Sequence, residues 1–415
     1  MASFSFVHAA DLHLGSPLAG LAARDPAMAE RFGDATRQAV ASLVTRTIEL
    51  GARFLVIAGD VYDGPWPDNS VGLFFNREMA RLGRAGIPVF VLRGNHDAES
   101  VVTKSVTLPD NVASFDTRKP QTHVIGDLRV ALHGQGFADR QVTDNLALSY
   151  PPALAGHLNI GVLHTSLTGR PPHADYAPCS LNDLLSKGYD YWALGHVHAH
   201  EIVHADPPVI FPGNIQGRSI RETGAKGAVL VHVEEGAVAG IERLIVDEAR
   251  FARVEVDVST ASDLPALLRA AEAAIGEALQ AGEGRPLALR VRLFGRTSLQ
   301  GWAIANRATL TDEIVNLCGH LATEAWLEKL QLDLRPEGEI APLVAGDAAL
   351  DLSALIEEAS GDEELRAEAQ RQLALLAGKL AGLVDPAAPF GEDLDTLLAE
   401  ARLLLAERIA EGGQA

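Results

Sequence analysis

Short apolar runs alternate with longer amphipathic stretches over the first 250 residues. "FSFVHAA", "RFLVIAG" and "PVFVLRG" have the length of strands, and "ATRQAVASLVTRTIELG" and "SVGLFFNREMARLGRAG" between them have the length of helices. That alternation predicts an α/β sheet. Further strands are expected at "LRVALHG", "LNIGVLHT", "DYWALGH", "PPVIFPG" and "GAVLVHVEEG". These lie closer together, so the second half of the sheet is expected to be mixed or antiparallel. A second unit begins near Phe251, with strand at "RVEVDV", helix at "SDLPALLRAAEAAIGEALQAG", strand at "LALRVRLFG" and more helix around Thr309 to Trp326. Beyond Arg335 the chain becomes Leu-, Ala- and Glu-rich. There Ser360 with Glu363 resembles a capping box, and Leu394, Leu397, Leu398, Ala401, Leu404, Leu405 and Ile409 form an apolar stripe. The organisation expected is a large domain over residues 1–250, a small α/β domain over 251–335 and a helical tail over 336–415.

Composition constrains this picture in three ways. The 415 residues are too many for one ordinary domain, and 47% hydrophobic content can bury a substantial core. Cys179 and Cys318 stand far apart in no metal-type spacing, so they read as buried small hydrophobes, and nothing suggests a disulfide framework. With no basic leader and no run of ~18–20 apolar residues, a cytoplasmic protein with no membrane span is expected. The net charge of -20 is unusual for a nucleic-acid binder. However, residues 336–415 hold 17 Asp+Glu against 5 Lys+Arg, so most of the acidity belongs to the tail and a local basic groove elsewhere is allowed.

The chemistry is concentrated where five strand-like runs end. "FVHAADLH" delivers Asp11 and His13, and "FLVIAGDVYD" delivers Asp60 and Asp63. "VFVLRGNHD" delivers Asn95, His96 and Asp97, "IGVLHTS" delivers His164, and "YWALGHVH" delivers His196 and His198. In open α/β sheets, sites form outside the carboxyl ends of strands, so these residues can share one pocket. Carboxylate, carboxamide and imidazole without thiolate suit Mn²⁺, Fe²⁺ or Zn²⁺ better than an all-oxygen Mg²⁺ cage. Seven candidate ligands are too many for one ion and about right for two. Two ions ~3.5–4 Å apart can clamp a phosphoryl group and activate water, which is chemistry for phosphoester hydrolysis.

"DLH", "GDVYD", "GNHD", "HTS" and "GHVH" resemble the motif set of the calcineurin-like metallophosphoesterase superfamily. "HAADLHLGSPL", "YAPC" and "FPGNIQGRSIRETGAKGAVLV" look like its bacterial DNA-repair exonuclease branch, the YhaO-type relatives of the SbcD nuclease subunit. The resemblance implies a layered mixed β-sheet core with a small α/β capping domain and a C-terminal helical tail. It implies that Asp11, His13, Asp60 and His198 hold one metal and that Asp60, Asn95, His164 and His196 hold the other, Asp60 bridging. His96 is left to protonate the leaving oxygen or stabilise the scissile phosphate, with Asp63 orienting it. Some nucleases of the wider family carry histidine in place of Asp63; aspartate is the common phosphoesterase choice.

The activity implied is a 3′-to-5′ DNA exonuclease using two divalent ions, Mn²⁺ foremost, with Fe²⁺, Zn²⁺ or Mg²⁺ as alternatives. Two other functions share these motifs: hydrolysis of small phosphodiesters or phosphoproteins, and a DNA-end-binding scaffold. By analogy, the tail docks an SbcC-like ATPase, and a homodimer is expected. Arg93, Arg218 and Arg221 are candidates to meet substrate phosphates, as against ordinary salt bridges. His200 and His204 read as loop or surface residues, Asp97 as a brace for its own loop, and His8 as a possible neighbour of the ligands.

Overall fold

In the computed structural model, residues 3–16, 26–63, 70–99, 107–168, 176–337, 362–379 and 394 are described. The chain divides into two compact units, Met1–Leu18 with Glu30–Arg250, and Ala19–Ala29 with Phe251–Ala415.

The first unit is built on two six-stranded sheets. Its strands are β1 (Phe4–Ala9), β2 (Leu55–Ala58), β3 (Val89–Leu92), β4 (Val112–Ser114), β5 (Gln121–Ile125) and β6 (Val130–Gly134), followed by β7 (Leu158–His164), β8 (Tyr191–Gly195), β9 (Glu201–Ala205), β10 (Pro208–Phe211), β11 (Gly227–Glu234) and β12 (Ala237–Ile245). One sheet has the order β12-β11-β1-β2-β3-β4 and the other β5-β6-β7-β8-β10-β9. In each, four strands run parallel at the centre, β1 to β4 in one and β6, β7, β8 and β10 in the other. The remaining strands, β11 and β12 on one side and β5 and β9 on the other, pair antiparallel.

Between the sheets lies a core of Phe6, Phe54, Val56, Leu92, Leu132, Ile160, Val162 and Tyr191. Strands buried on both faces read as unbroken apolar runs, which is why β2, β3 and β6 to β8 stand out in the sequence. Helices α1 (Pro26–Glu49) and α2 (Ser70–Arg84) contribute Ala39, Val40, Leu43, Phe75 and Met79 to a second core on the outer face of the first sheet. Helix α1 begins well before Ala35, where the amphipathic pattern had placed its start. Phe32 is buried and extends the stripe of Ala35, Ala39 and Leu43 by one more turn. Short helices α3 (Asn95–Glu99) and α4 (Leu181–Leu185) complete the unit, α4 closed by a capping box from Ser180 and Asp183.

The second unit is smaller: β13 (Arg250–Asp257), α5 (Leu264–Ala281), β14 (Leu287–Arg296), α6 (Gln300–Ala305), α7 (Arg307–Leu321) and β15 (Ala325–Arg335). Its sheet order is β13-β14-β15, with β14 and β15 parallel. Helix had been expected as far as Trp326, but α7 ends at Leu321 and Ala325 opens β15. Leu330 and Leu334 in β15 are buried in the same core as Leu267, Val291 and Ile314, so burial against α5 and α7 decides the assignment over local pattern. In the tail, α8 (Glu363–Lys379) begins at Asp362, whose carboxylate accepts from the backbone N–H of Glu364 and Leu365. Ser360 and the stripe from Leu397 to Ile409 lie outside the described residues.

Candidate metal centre

Every strand expected to carry a candidate ligand places it at or just past its carboxyl end. Asp11 and His13 follow β1, Asp60 follows β2, Asn95 and His96 open α3 after β3, His164 closes β7, and His196 and His198 follow β8. Three groups of donor atoms lie within 4.8 Å of one another: Asp11, His13 and His198; His13, Asp60 and His96; and Asp60, His164 and His196. Asn95 joins the third through its carbonyl oxygen, 3.0 Å from His164 Nε2. Asp60 Oδ2 sits 3.4 Å from His164 Nε2 and 4.0 Å from His13 Nε2, which places that carboxylate between the groups.

The backbone is bent to achieve this. Asp11 (φ 54°), His13 (φ 46°), Asp60 (φ 52°) and His196 (φ 99°) all adopt left-handed conformations that non-glycine residues avoid, at a cost of about 1–3 kcal/mol each. Hydrogen bonds between the two loops hold these turns: Asp11 N–H donates to Gly59 C=O, His13 N–H to Asp60 C=O, and Asp63 N–H to Leu14 C=O, all at 3.0 Å. Gly59 supplies a further positive φ of 101°. Gly195 is needed for a different reason. Its φ is ordinary, but a Cβ there would overlap the Ala58 carbonyl and crowd His164 Nδ1.

Second bonds fix the imidazoles. His164 Nδ1–H donates to Ala58 C=O at 2.9 Å, which turns Nε2 toward Asp60 and Asn95. His198 Nδ1–H donates to Glu222 at 2.8 Å, and its Nε2 then lies 3.1 Å from His13 Nε2. His96 Nδ1 bonds Asp63 Oδ1 at 2.8 Å. Asp97 accepts from the backbone N–H of Val61, Tyr62 and Gly94, so it ties the second loop to the third. Phe137 meets His164 edge-on, and Tyr176 lies 5.1 Å from His196.

The buried carboxylates and imidazoles of the site shift one another's protonation. Burial raises the Asp11 carboxyl, with help from the Asp60 charge. Burial would raise Asp60 as well, but the His164 imidazole outweighs it and holds that carboxyl low. His164 is pulled the other way: burial disfavours its charge, yet Asp60 carries it up to about 9. Burial and the nearby Arg218 guanidinium keep His13 neutral, so its 3.9 Å approach to Asp11 is not an ion pair. The Nε2 atoms of His13 and His198, aimed at one another 3.1 Å apart beside two buried carboxylates, belong to a donor set that fits divalent cations.

Residues 4–200 match the family described as "Calcineurin-like phosphoesterase", and residues 251–335 match "Metallophosphoesterase YhaO, middle domain". A Bacillus subtilis (strain 168) protein described as "Uncharacterized metallophosphoesterase YhaO" is 31% identical over 344 residues, covering 82% of this chain and 83% of the relative. The chain belongs to the calcineurin-like metallophosphoesterases, in the YhaO-type branch. Two proteins named "DNA double-strand break repair protein Mre11" are more distant. The one from Methanopyrus kandleri is 26% identical over 61% of this chain and 59% of its own length. The one from Sulfurisphaera tokodaii is 23% identical over 60% and 64%. The present chain thus spans under two thirds of either Mre11 relative.

As a YhaO-type metallophosphoesterase, the protein is a hydrolase whose family binds divalent metals. The remaining positions singled out in the sequence fall around the donor groups. Arg218 faces Asp63 at 2.9 Å and Glu222 at 3.0 Å. Arg221 is exposed and Arg93 is half-buried beside the third loop. His8 is buried, bonded to the Tyr191 hydroxyl and the Leu194 carbonyl. Sequence reading missed Glu222, although it stands in the quoted "GRSIRETGAKG". A carboxylate four residues after Arg218 was the available signal, but nothing local to it pointed at His198. Among the described residues, no helix is long and apolar enough to cross a membrane.

Proposed function

We propose that this protein is a two-metal phosphodiesterase acting on DNA as a 3′-to-5′ exonuclease, as its sequence resemblance implies, with Mn²⁺ as its metal. The observation that carries this is the Asp60 carboxylate lying between two groups of donors drawn from five separate segments. In this reading Asp11, His13, Asp60 and His198 hold one cation, and Asp60, Asn95, His164 and His196 hold the other. When bound, the cations neutralise charge on the phosphoryl group and make water a better nucleophile. The protein's own part is proton placement. Asp63 holds His96 Nδ1 at 2.8 Å, and its charge and that of Asp60 raise the pKa of His96 against the effect of burial. Asp63 thus favours the protonated ring, with Nε2 available to the leaving oxygen. DNA as substrate rests on the Mre11 relatives and the sequence resemblance. An ATPase or homodimer partner rests on the sequence resemblance alone, since most of residues 336–415 lies outside the described residues.

The test is a paired assay with Mn²⁺ on a 3′-labelled duplex and on a chromogenic phosphodiester. Release of labelled mononucleotide is expected. Cleavage of the small ester alone would overturn the DNA reading and leave the phosphodiesterase intact.

A further inference from the structure

The loop after β10 reaches the backs of two site histidines. Glu222 accepts from His198 Nδ1, Asn214 Nδ2 and the Arg218 backbone N–H, each at 2.8 Å. Arg218 donates Nη2 to Glu222 Oε1 at 3.0 Å and Nη1 to Asp63 Oδ2 at 2.9 Å. The other Asp63 oxygen meets His96 Nδ1. A single guanidinium therefore joins the carboxylate behind His198 to the carboxylate behind His96. These side chains are well enclosed, Arg218 at 19%, Asp63 at 14% and Glu222 at 12% exposure.

We propose that Arg218 is a positioning residue for both ends of the site. Through Asp63 it fixes the ring of His96, and through Glu222 it fixes the ring of His198 so that Nε2 stays directed at His13 and Asp11. This rests on the two-metal phosphodiesterase reading above. A planar guanidinium can bond two carboxylates along different directions at once, whereas an ammonium is a single point charge on a flexible stem. Nη1 and Nη2 each already donate to a carboxylate and Nε is buried, so a phosphate could be met only by the second N–H of each Nη. Deleting the guanidinium would leave Asp63 and Glu222 without their shared cation and both rings freer to turn.

The experiment uses the full chain as wild type, Arg218→Gln, Arg218→Lys, His96→Ala and the double variants that combine His96→Ala with each Arg218 substitution. Mn²⁺ binding to the metal-free protein is followed by calorimetry, and turnover of a chromogenic phosphodiester is measured at saturating Mn²⁺. Arg218→Gln is expected to weaken Mn²⁺ binding and lower kcat by roughly 10–100-fold, with KM little changed. In the His96→Ala background the same substitution is expected to cost clearly less in kcat. Equal fold losses in the two backgrounds would overturn the proposal. So would a raised KM at constant kcat and unchanged Mn²⁺ affinity, the signature of a phosphate contact. If thermal melting shows Arg218→Gln to be unfolded, Arg218→Lys carries the same comparisons with the charge retained. Failure of the wild type itself to bind Mn²⁺ or cleave the ester would overturn the phosphodiesterase reading, and this inference with it.

Discussion

The two ends of the site hold their imidazoles by different means. His164 is completely buried and donates to the Ala58 carbonyl, a backbone group in the last residue of β2. His198 is 24% exposed and donates to Glu222, a side chain on a loop that is in turn held by Arg218 and Asn214. A backbone acceptor at the end of a central strand moves only with the sheet. A carboxylate turns with its own neighbours and can be removed by one substitution. The His164 end is thus fixed by the fold, and the His198 end by a separate side-chain network.

Asp60 belongs to both ends, so its loss should erase the distinction. Asp60→Asn is expected to bring hydrolysis to background and to weaken every Mn²⁺ equivalent, read by calorimetry and by metal content after desalting. Retention of one tight equivalent would show that the two donor groups do not share this carboxylate. His96→Ala should do the opposite, keeping Mn²⁺ uptake while lowering kcat by ~10²–10⁴-fold. Metal loss in that variant would move His96 from proton donor to ligand.

What sequence revealed follows the same division. The centre of each sheet was legible because strands buried on both faces are unbroken apolar runs, and the candidate ligands sit at or just past their ends. Strands β4, β5, β9 and β12 were not legible. Most of their residues are half-buried or exposed, so no long apolar run marks them. Backbone bracing of His164 was implicit in the glycine before Asp60 and the one before His196, although Gly195 serves close approach and not a turn. Side-chain bracing of His198 was not implicit, because Glu222 acts across 24 residues of chain through a fold that must first exist.

Glu222→Ala separates the ends directly. It leaves the Ala58 bond to His164 untouched and removes the acceptor for His198 Nδ1. One Mn²⁺ equivalent should weaken by roughly 10–100-fold while the other stays near its wild-type affinity. Two-site calorimetry resolves this. Equal weakening of both equivalents would mean that the ends are coupled through more than Asp60 and that the contrast is one of geometry only.

The smallest effect is expected behind the His164 end. His8 Nε2–H donates to the Leu194 carbonyl, next to Gly195, and its Nδ1 accepts from the Tyr191 hydroxyl. Burial pushes the His8 pKa down to about 3, so the folded protein keeps it neutral while the unfolded chain titrates it near 6.5. The unfolded state therefore binds one more proton between those values. Stability from this group is complete above pH 6.5 and is lost as pH falls toward 3, with the slope of one proton. His8→Gln keeps a donor for Leu194 and removes the titration, so denaturant unfolding of the metal-free variant at pH 7 and pH 5 should show a smaller loss than wild type. Its Mn²⁺ affinity at pH 7 should stay within a few-fold of wild type, because the sheet holds the loop. If His8→Gln weakened Mn²⁺ binding as much as Glu222→Ala, this end too would depend on a side-chain brace, and the difference between the two ends would disappear.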